Sequence, residues 1–165
     1  LSEMLQKLSS KIDELVINTS IKKVYIEPGR SIVGRSGMTL YTGSMIKNTY
    51  GGKKYLFVDG GMTDNIRPAL YQAKYEVLNP VRLDGEKVLV DVVGKCCESG
   101  DIVSKDTLIS FEPGDPILVL STGAYGYSMS SNYNSALKPR VLLVDKEIEE
   151  ISKKEKLSDL MHLFK

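Results

Sequence analysis

Met4, Leu5, Leu8, Ile12, Leu15 and Val16 recur at steps of three and four residues. Such spacing lays one apolar stripe along a helix of about four turns. Ser2 stands where that helix takes its N-cap, and Asn18-Thr19-Ser20 breaks the pattern. Val24-Tyr25-Ile26 reads as a short strand stopped by Pro28-Gly29, so the chain opens on one helix–strand unit of the α/β kind. From Met38 the period changes. Short β-prone runs follow at Met38–Lys47, Lys54–Asp59, Tyr75–Asn79, Lys87–Val93, Thr107–Phe111, Asp115–Ser121 and Arg140–Asp145. Turn residues separate many of them at Tyr50-Gly51-Gly52, Asp84-Gly85 and Glu112-Pro113-Gly114, and Asp84-Gly85 predicts a hairpin between its flanking runs. Two interruptions rich in polar and aromatic groups, Gly60–Gln72 and Gly123–Ser135, read as part helix and part loop. Leu157, Leu160, Met161 and Phe164 mark a terminal helix, with Ser152 and Glu155 spaced as a capping box. The expected fold is mostly β with some α. An antiparallel barrel or sandwich over residues 37–165 follows the helix–strand unit of residues 1–36, with the boundary near Gly34 to Gly37.

Composition narrows the function classes. The 165 residues carry 22 Lys+Arg against 21 Asp+Glu, a balance that argues against a strongly basic nucleic-acid binder. Apolar runs such as Ile117 to Leu120 are too short to cross a bilayer, and Ser2 to Lys11 is too polar for a signal segment. Two adjacent cysteines, Cys96 and Cys97, make no disulfide framework, so a cytoplasmic location is expected. The chain opens on Leu1 and is expected to continue upstream. With His162 as its single His, it holds no Ser-His-Asp, Cys-His or His-rich metal site of its own.

Four segments could carry chemistry. Glu27-Pro28-Gly29-Arg30 offers a tight turn, a carboxylate and a guanidinium whose fork suits phosphate or carboxylate. Taken alone, it reads first as a strand-ending turn with a surface salt bridge. Glu112-Pro113-Gly114-Asp115 is an internal control: the same tripeptide carries Asp where Arg stood and cannot hold a phosphate. In Asp59-Gly60-Gly61-Met62-Thr63-Asp64-Asn65-Ile66-Arg67-Pro68-Ala69-Leu70-Tyr71, Pro68 fits the first turn of a short helix. Arg67 and Tyr71, four apart, would then share a face and clamp an anion, or the segment is a capped connection. Asp59 and Asp64 lack the third ligand a metal would need.

In Gly94-Lys95-Cys96-Cys97-Glu98-Ser99-Gly100-Asp101, extended backbone would turn only one of the two cysteines toward a given site. A thiol beside a carboxylate is better suited to giving up a proton than to attacking. The alternative is two small residues in a core. Gly123-Ala124-Tyr125-Gly126 leads into what reads as a helix, whose free N–H groups would meet an anion near Tyr125. Taken alone, the stretch reads first as a helix start with buried aromatics.

Taken in order, EPGR after a strand, DGG-x-x-D-x-IRPALY, CESGD and GAYG-YSMSSNYN resemble the diaminopimelate decarboxylases. These are pyridoxal-phosphate enzymes that pair a β/α barrel with a C-terminal β domain, alongside ornithine and arginine decarboxylases. The likeness runs from about Lys22 to Asp145. It implies that Glu27 lies near the cofactor's pyridine nitrogen and that Gly29 and Arg30 hold its phosphate, with Arg30 also reaching a substrate carboxylate. Arg67 and Tyr71 would bind the distal end of the substrate. Glu98 would meet the distal amino group, and Tyr125 would touch both phosphate and substrate. Cys97 would return a proton to carbon after carbon dioxide leaves, and Cys96 would be structural. The Cys-Glu segment is implied to reach the partner's site in a homodimer.

The family's Schiff-base lysine belongs to an early barrel strand, and no Lys here has that context. A β/α barrel takes about 250 residues, with its site at the C-terminal ends of its strands, where EPGR falls. The resemblance therefore implies the C-terminal part of a decarboxylase that makes L-lysine from meso-2,6-diaminopimelate, inactive without the barrel. Ornithine, arginine or carboxynorspermidine are the rival substrates, and a stand-alone non-catalytic β module is the rival class.

Overall fold

The computed structural model describes residues 2–162. Six strands build one sheet: β1 (Met38–Asn48), β2 (Lys54–Val58), β3 (Val77–Leu78), β4 (Val88–Val93), β5 (Ile102–Ile109) and β6 (Pro116–Leu120), in the order β3-β6-β1-β2-β4-β5. β1 is long enough to serve two neighbours. Its first half pairs antiparallel with β6 and its second half with β2, with a register shift between Gly43 and Met45. β2 and β4 run parallel, which demands the long crossover through residues 59–87.

Alternation sets the inner face. Leu56 and Val58 of β2, Val90 and Val92 of β4, Val103 and Ile109 of β5, and Ile117 and Val119 of β6 all point into one core with Tyr41, Tyr75 and Val77. The edge strands approach each other where Ser104 Oγ donates to the Tyr75 carbonyl (3.2 Å) and Asn79 Nδ2 to the Ser110 carbonyl (3.0 Å). The sheet thus curls into a nearly closed barrel, which leaves little edge unpaired. A second, two-stranded ribbon joins β7 (Val141–Val144) to β8 (Ile148–Ser152).

The helices are α1 (Ser2–Asn18), α2 (Arg30–Val33), α3 (Arg67–Tyr71) and α4 (Leu157–Met161). α1 matches the apolar period, but Met4, Leu5, Leu15 and Val16 stay exposed. Several expectations are corrected. Val24-Tyr25-Ile26 forms no strand and is exposed, because a strand needs a neighbour and no strand among the described residues pairs with it. Asp84-Gly85 closes no hairpin: β3 pairs with β6 while β4 pairs with β2 and β5. Residues 123–135 form no α-helix, only the 3-10 turns Tyr127–Met129 and Tyr133–Ser135.

The capping box lies four residues later than Ser152 and Glu155 suggest. The Asp159 carboxylate accepts from Lys156 N–H (2.7 Å). Ser152 instead ends β8 and shares a hydrogen bond with the Tyr127 hydroxyl (2.9 Å), and Glu155 accepts from Asn132 Nδ2 (2.6 Å) and Lys138 N–H (2.8 Å). Phe164 lies outside the described residues.

Candidate active site

The end of β6 and the start of β1 meet at one rim of the barrel. Thr122 N–H donates to the Gly37 carbonyl (2.9 Å) and Gly123 N–H to that of Gly34 (3.0 Å). Gly37 and Gly123 approach so closely that a methyl on either would strike the other's backbone. This clamp sets the Glu27–Arg30 turn, through the short α2, beside residues 121–125. Arg30 Nη2 then donates to the Ser121 carbonyl at 3.0 Å.

Tyr125 is the structural surprise of this rim. Its φ of 60° is left-handed, a costly conformation for a bulky residue and one that concentrates at functional sites. It brings the hydroxyl against Gly29, where an added Cβ would sit 3.1 Å from the oxygen. Gly29 itself holds φ 46°, open to glycine. The Arg67 guanidinium lies 5.3 Å from the Tyr125 ring centroid and 5.0 Å from that of Tyr71. Pro68 stands in the first turn of α3, so Arg67 and Tyr71 do share one helix face.

Arg67 Nε is buried without a hydrogen-bond partner, and no ion pair holds Arg67 among the described residues. A buried guanidinium donor left open fits an anionic ligand. Gly29, Arg30, Arg67, Tyr71 and Tyr125, drawn from three separate motifs, are thus brought together. Glu27 is exposed and makes no hydrogen bond or ion pair among the described residues.

The cysteine segment is placed differently. Residues 95–98 form bends rather than a strand or a piece of core, with Cys96 half-buried and Cys97 exposed, both as free thiols. Burial pushes the Cys96 thiol up, and the Asp101 carboxylate adds to this by its charge and a hydrogen bond. Glu98 Oε1 accepts from Ser99 N–H (3.0 Å). A groove of about 340 Å³ beside this segment is lined by Tyr55, Phe57, Cys96 and Glu98, and by none of Arg67, Tyr71 and Tyr125. No hydrogen bond or ion pair joins Cys97 or Glu98 to the Arg67 group among the described residues.

The two aspartates weighed as metal ligands are engaged by backbone: Asp59 Oδ1 accepts from Thr42 N–H (2.8 Å) and Asp64 Oδ2 from Gly61 N–H (3.0 Å). Among the described residues no group of three or more His, Cys, Asp or Glu could hold a metal. Two features were not legible as site elements. Tyr41 is buried beside Asp64, and burial, then the charges of Asp64, Asp101 and Asp59, push its hydroxyl far up. Asp101, quoted within its motif but given no role, is buried between two loops. Only the Asp-rich, Gly-rich company of these residues hints at either.

Residues 31–123 match the model of the pyridoxal-dependent decarboxylase C-terminal sheet domain. The chain belongs to this family. The chain is 47% identical to the diaminopimelate decarboxylase of Bacillus subtilis (strain 168) over 146 residues, 87% of this chain and 33% of that relative. Among solved structures, the diaminopimelate decarboxylase of M. jannaschii in complex with L-lysine superposes with a TM-score of 0.79 at 35% identity, covering 83% of this chain and 32% of that one. The Helicobacter pylori enzyme, also complexed with L-lysine, gives 0.74 at 42%, covering 83% and 34%. The chain spans about a third of the length of the curated relatives it matches. Among its described residues, no helix is long and apolar enough to cross a membrane.

Proposed function

We propose that this chain is the C-terminal part of a pyridoxal-phosphate enzyme that converts meso-2,6-diaminopimelate to L-lysine and carbon dioxide. Residues 1–36 would supply the last helix of its barrel and a segment, Val24-Tyr25-Ile26, that becomes the last strand only when a barrel neighbour pairs with it, and 37–165 would be its β domain. The observation that carries this reading is Arg67, set with an open buried donor between the rings of Tyr71 and Tyr125, while the Tyr125 hydroxyl lies against Gly29.

The residues present fit the cofactor. The Gly29–Arg30 turn and the Tyr125 hydroxyl, which has no hydrogen-bond partner among the described residues, would hold its phosphate, and Glu27 would face its ring nitrogen. When bound, pyridoxal phosphate supplies the electron sink for the pair released as carbon dioxide leaves. Arg67 and Tyr71 orient the substrate through its distal carboxylate, and Glu98 accepts from the distal ammonium. Cys97 holds its proton on Sγ and delivers it to the carbon that lost carbon dioxide.

The separation of Cys97 and Glu98 from the Arg67 group supports a homodimer with shared sites, each segment completing the partner's. The exposed Met4, Leu5, Val24 and Ile26 support a barrel packed on residues 1–36 and carrying the cofactor's lysine. We place the enzyme in the cytoplasm, where two free thiols stay reduced.

Carbon dioxide release tests this, with meso-diaminopimelate, ornithine, arginine and carboxynorspermidine offered in turn to the domain joined to its barrel. Turnover of meso-diaminopimelate alone is expected, with none from the isolated chain. Preference for another substrate would overturn the assignment. Turnover by the isolated chain would overturn the need for a barrel.

A further inference from the structure

Asp101 is 3% exposed, yet it lies in neither a helix nor a strand. Its Oδ1 accepts from Met62 N–H at 2.6 Å and its Oδ2 from Cys96 N–H at 2.7 Å. One carboxylate therefore ties the Gly60–Gly61 loop that leads to α3 to the segment that carries Cys97 and Glu98. Backbone bonds frame the same junction: Gly94 N–H to the Asp101 carbonyl (3.0 Å), Asp101 N–H to that of Glu98 (3.1 Å) and Lys95 N–H to that of Gly60 (3.1 Å). Gly61 and Gly94 leave their faces open for the carboxylate, and a methyl on either would collide with it. The fit admits no longer acid. Both oxygens must accept, since a carboxamide could satisfy one amide but would turn its own N–H₂ on the other.

We infer that Asp101 is a positioning residue for the reaction, holding the Cys96–Glu98 segment in the register that presents Cys97 and Glu98 to substrate. The inference rests on the proposed roles of those two residues. A proton donor displaced by about 1 Å can lose on the order of 100-fold in rate. The loop has no strand pairing to hold it in place of the carboxylate.

The test is a double-mutant cycle in the assembled, cofactor-loaded enzyme. Asp101→Asn is expected to lower kcat about 30-fold with a smaller change in KM, while the same substitution in a Cys97→Ala background lowers kcat no further than about twofold. Multiplying defects would mean general damage and would overturn the inference, as would an unchanged kcat in D101N. Wild-type kcat in C97A would instead remove the reading on which the inference rests. Should D101N fail to fold, amide exchange in the wild-type enzyme decides. The Met62 and Cys96 amides, both outside strands and helices, are expected to exchange at least about 100-fold more slowly than open loops. Exchange at open-loop rates would overturn the brace.

Discussion

Two turns in this chain begin with the same three residues and end differently. At Glu112-Pro113-Gly114-Asp115 the backbone N–H groups of Glu112, Gly114 and Asp115 and one oxygen of each carboxylate are engaged within the molecule. The Asp115 carboxylate accepts from Glu112 N–H (2.8 Å), Asn79 Nδ2 (2.8 Å) and Arg82 Nε (2.6 Å), and Arg82 also pairs with Glu112. At Glu27-Pro28-Gly29-Arg30 the Pro28 and Gly29 carbonyls accept from the first turn of α2, but the side chains and the Gly29 N–H are left largely open. Glu27 is open, Gly29 holds a left-handed φ against the Tyr125 hydroxyl, and Arg30 makes a single bond to a carbonyl. A turn whose aspartate is bound to three donors stabilises a fold, while a turn with donors left over, beside a strained tyrosine, is arranged for a ligand. Arg67, with its buried open Nε, belongs to the second kind.

That contrast can be broken experimentally. The largest effect is expected at the open site. Arg67→Ala in the assembled enzyme should lower kcat/KM about 1,000-fold, or ~4 kcal/mol, while Asp115→Asn should leave it within about threefold. Steady-state kinetics of both variants would erase the distinction if the two losses were alike. Within the barrel, Leu56→Ala removes a fully buried side chain (0% exposed) and should cost about 3 kcal/mol in denaturant unfolding, with kcat unchanged in the folded fraction. Tyr125→Phe keeps the ring over Arg67 and deletes only the hydroxyl beside Gly29. About a tenfold loss in kcat/KM is expected, and no change there would exclude the hydroxyl from the site.

The smallest effect is a pH limb. The Glu112 amide, then the side chains of Arg82 and Asn79, hold the Asp115 carboxyl below its ordinary value against a partly opposing desolvation. A group with a depressed folded pKa contributes stability above its unfolded value, near 3.9, and loses it as pH falls through the folded one. Melting curves from pH 5 to pH 2 should therefore show a falling acid limb that D115N flattens. A limb identical in both proteins would assign the acid loss elsewhere.

Much of the sheet domain could be read from period alone, because β2, β4 and β6 alternate or run β-branched between turn residues. What failed depended on partners. Val24-Tyr25-Ile26 has strand propensity and no strand to pair with. Asp84-Gly85 is a hairpin dipeptide whose flanking strands belong to other neighbours. β8 was hidden because Ile148-Glu149-Glu150-Ile151 reads as a solvated face, which it is, and only pairing with β7 makes it a strand. The site was legible as motifs, since the residues themselves state their chemistry. Its assembly was not. Nothing local announces that Tyr125 takes a positive φ, or that Asp101 faces two amides, 5 and 39 residues away in sequence.

The central claim is that the open donors at the Gly29–Arg30 turn and at Arg67 are reserved for cofactor phosphate and substrate carboxylate. The most direct measurement is a crystal structure of the assembled enzyme with pyridoxal phosphate and L-lysine. The account predicts the phosphate within hydrogen-bond distance of the Gly29–Arg30 turn and the Tyr125 hydroxyl, and the lysine carboxylate on Arg67. Density for both ligands with Arg67 Nε still unpaired, or with the phosphate held elsewhere, would contradict it.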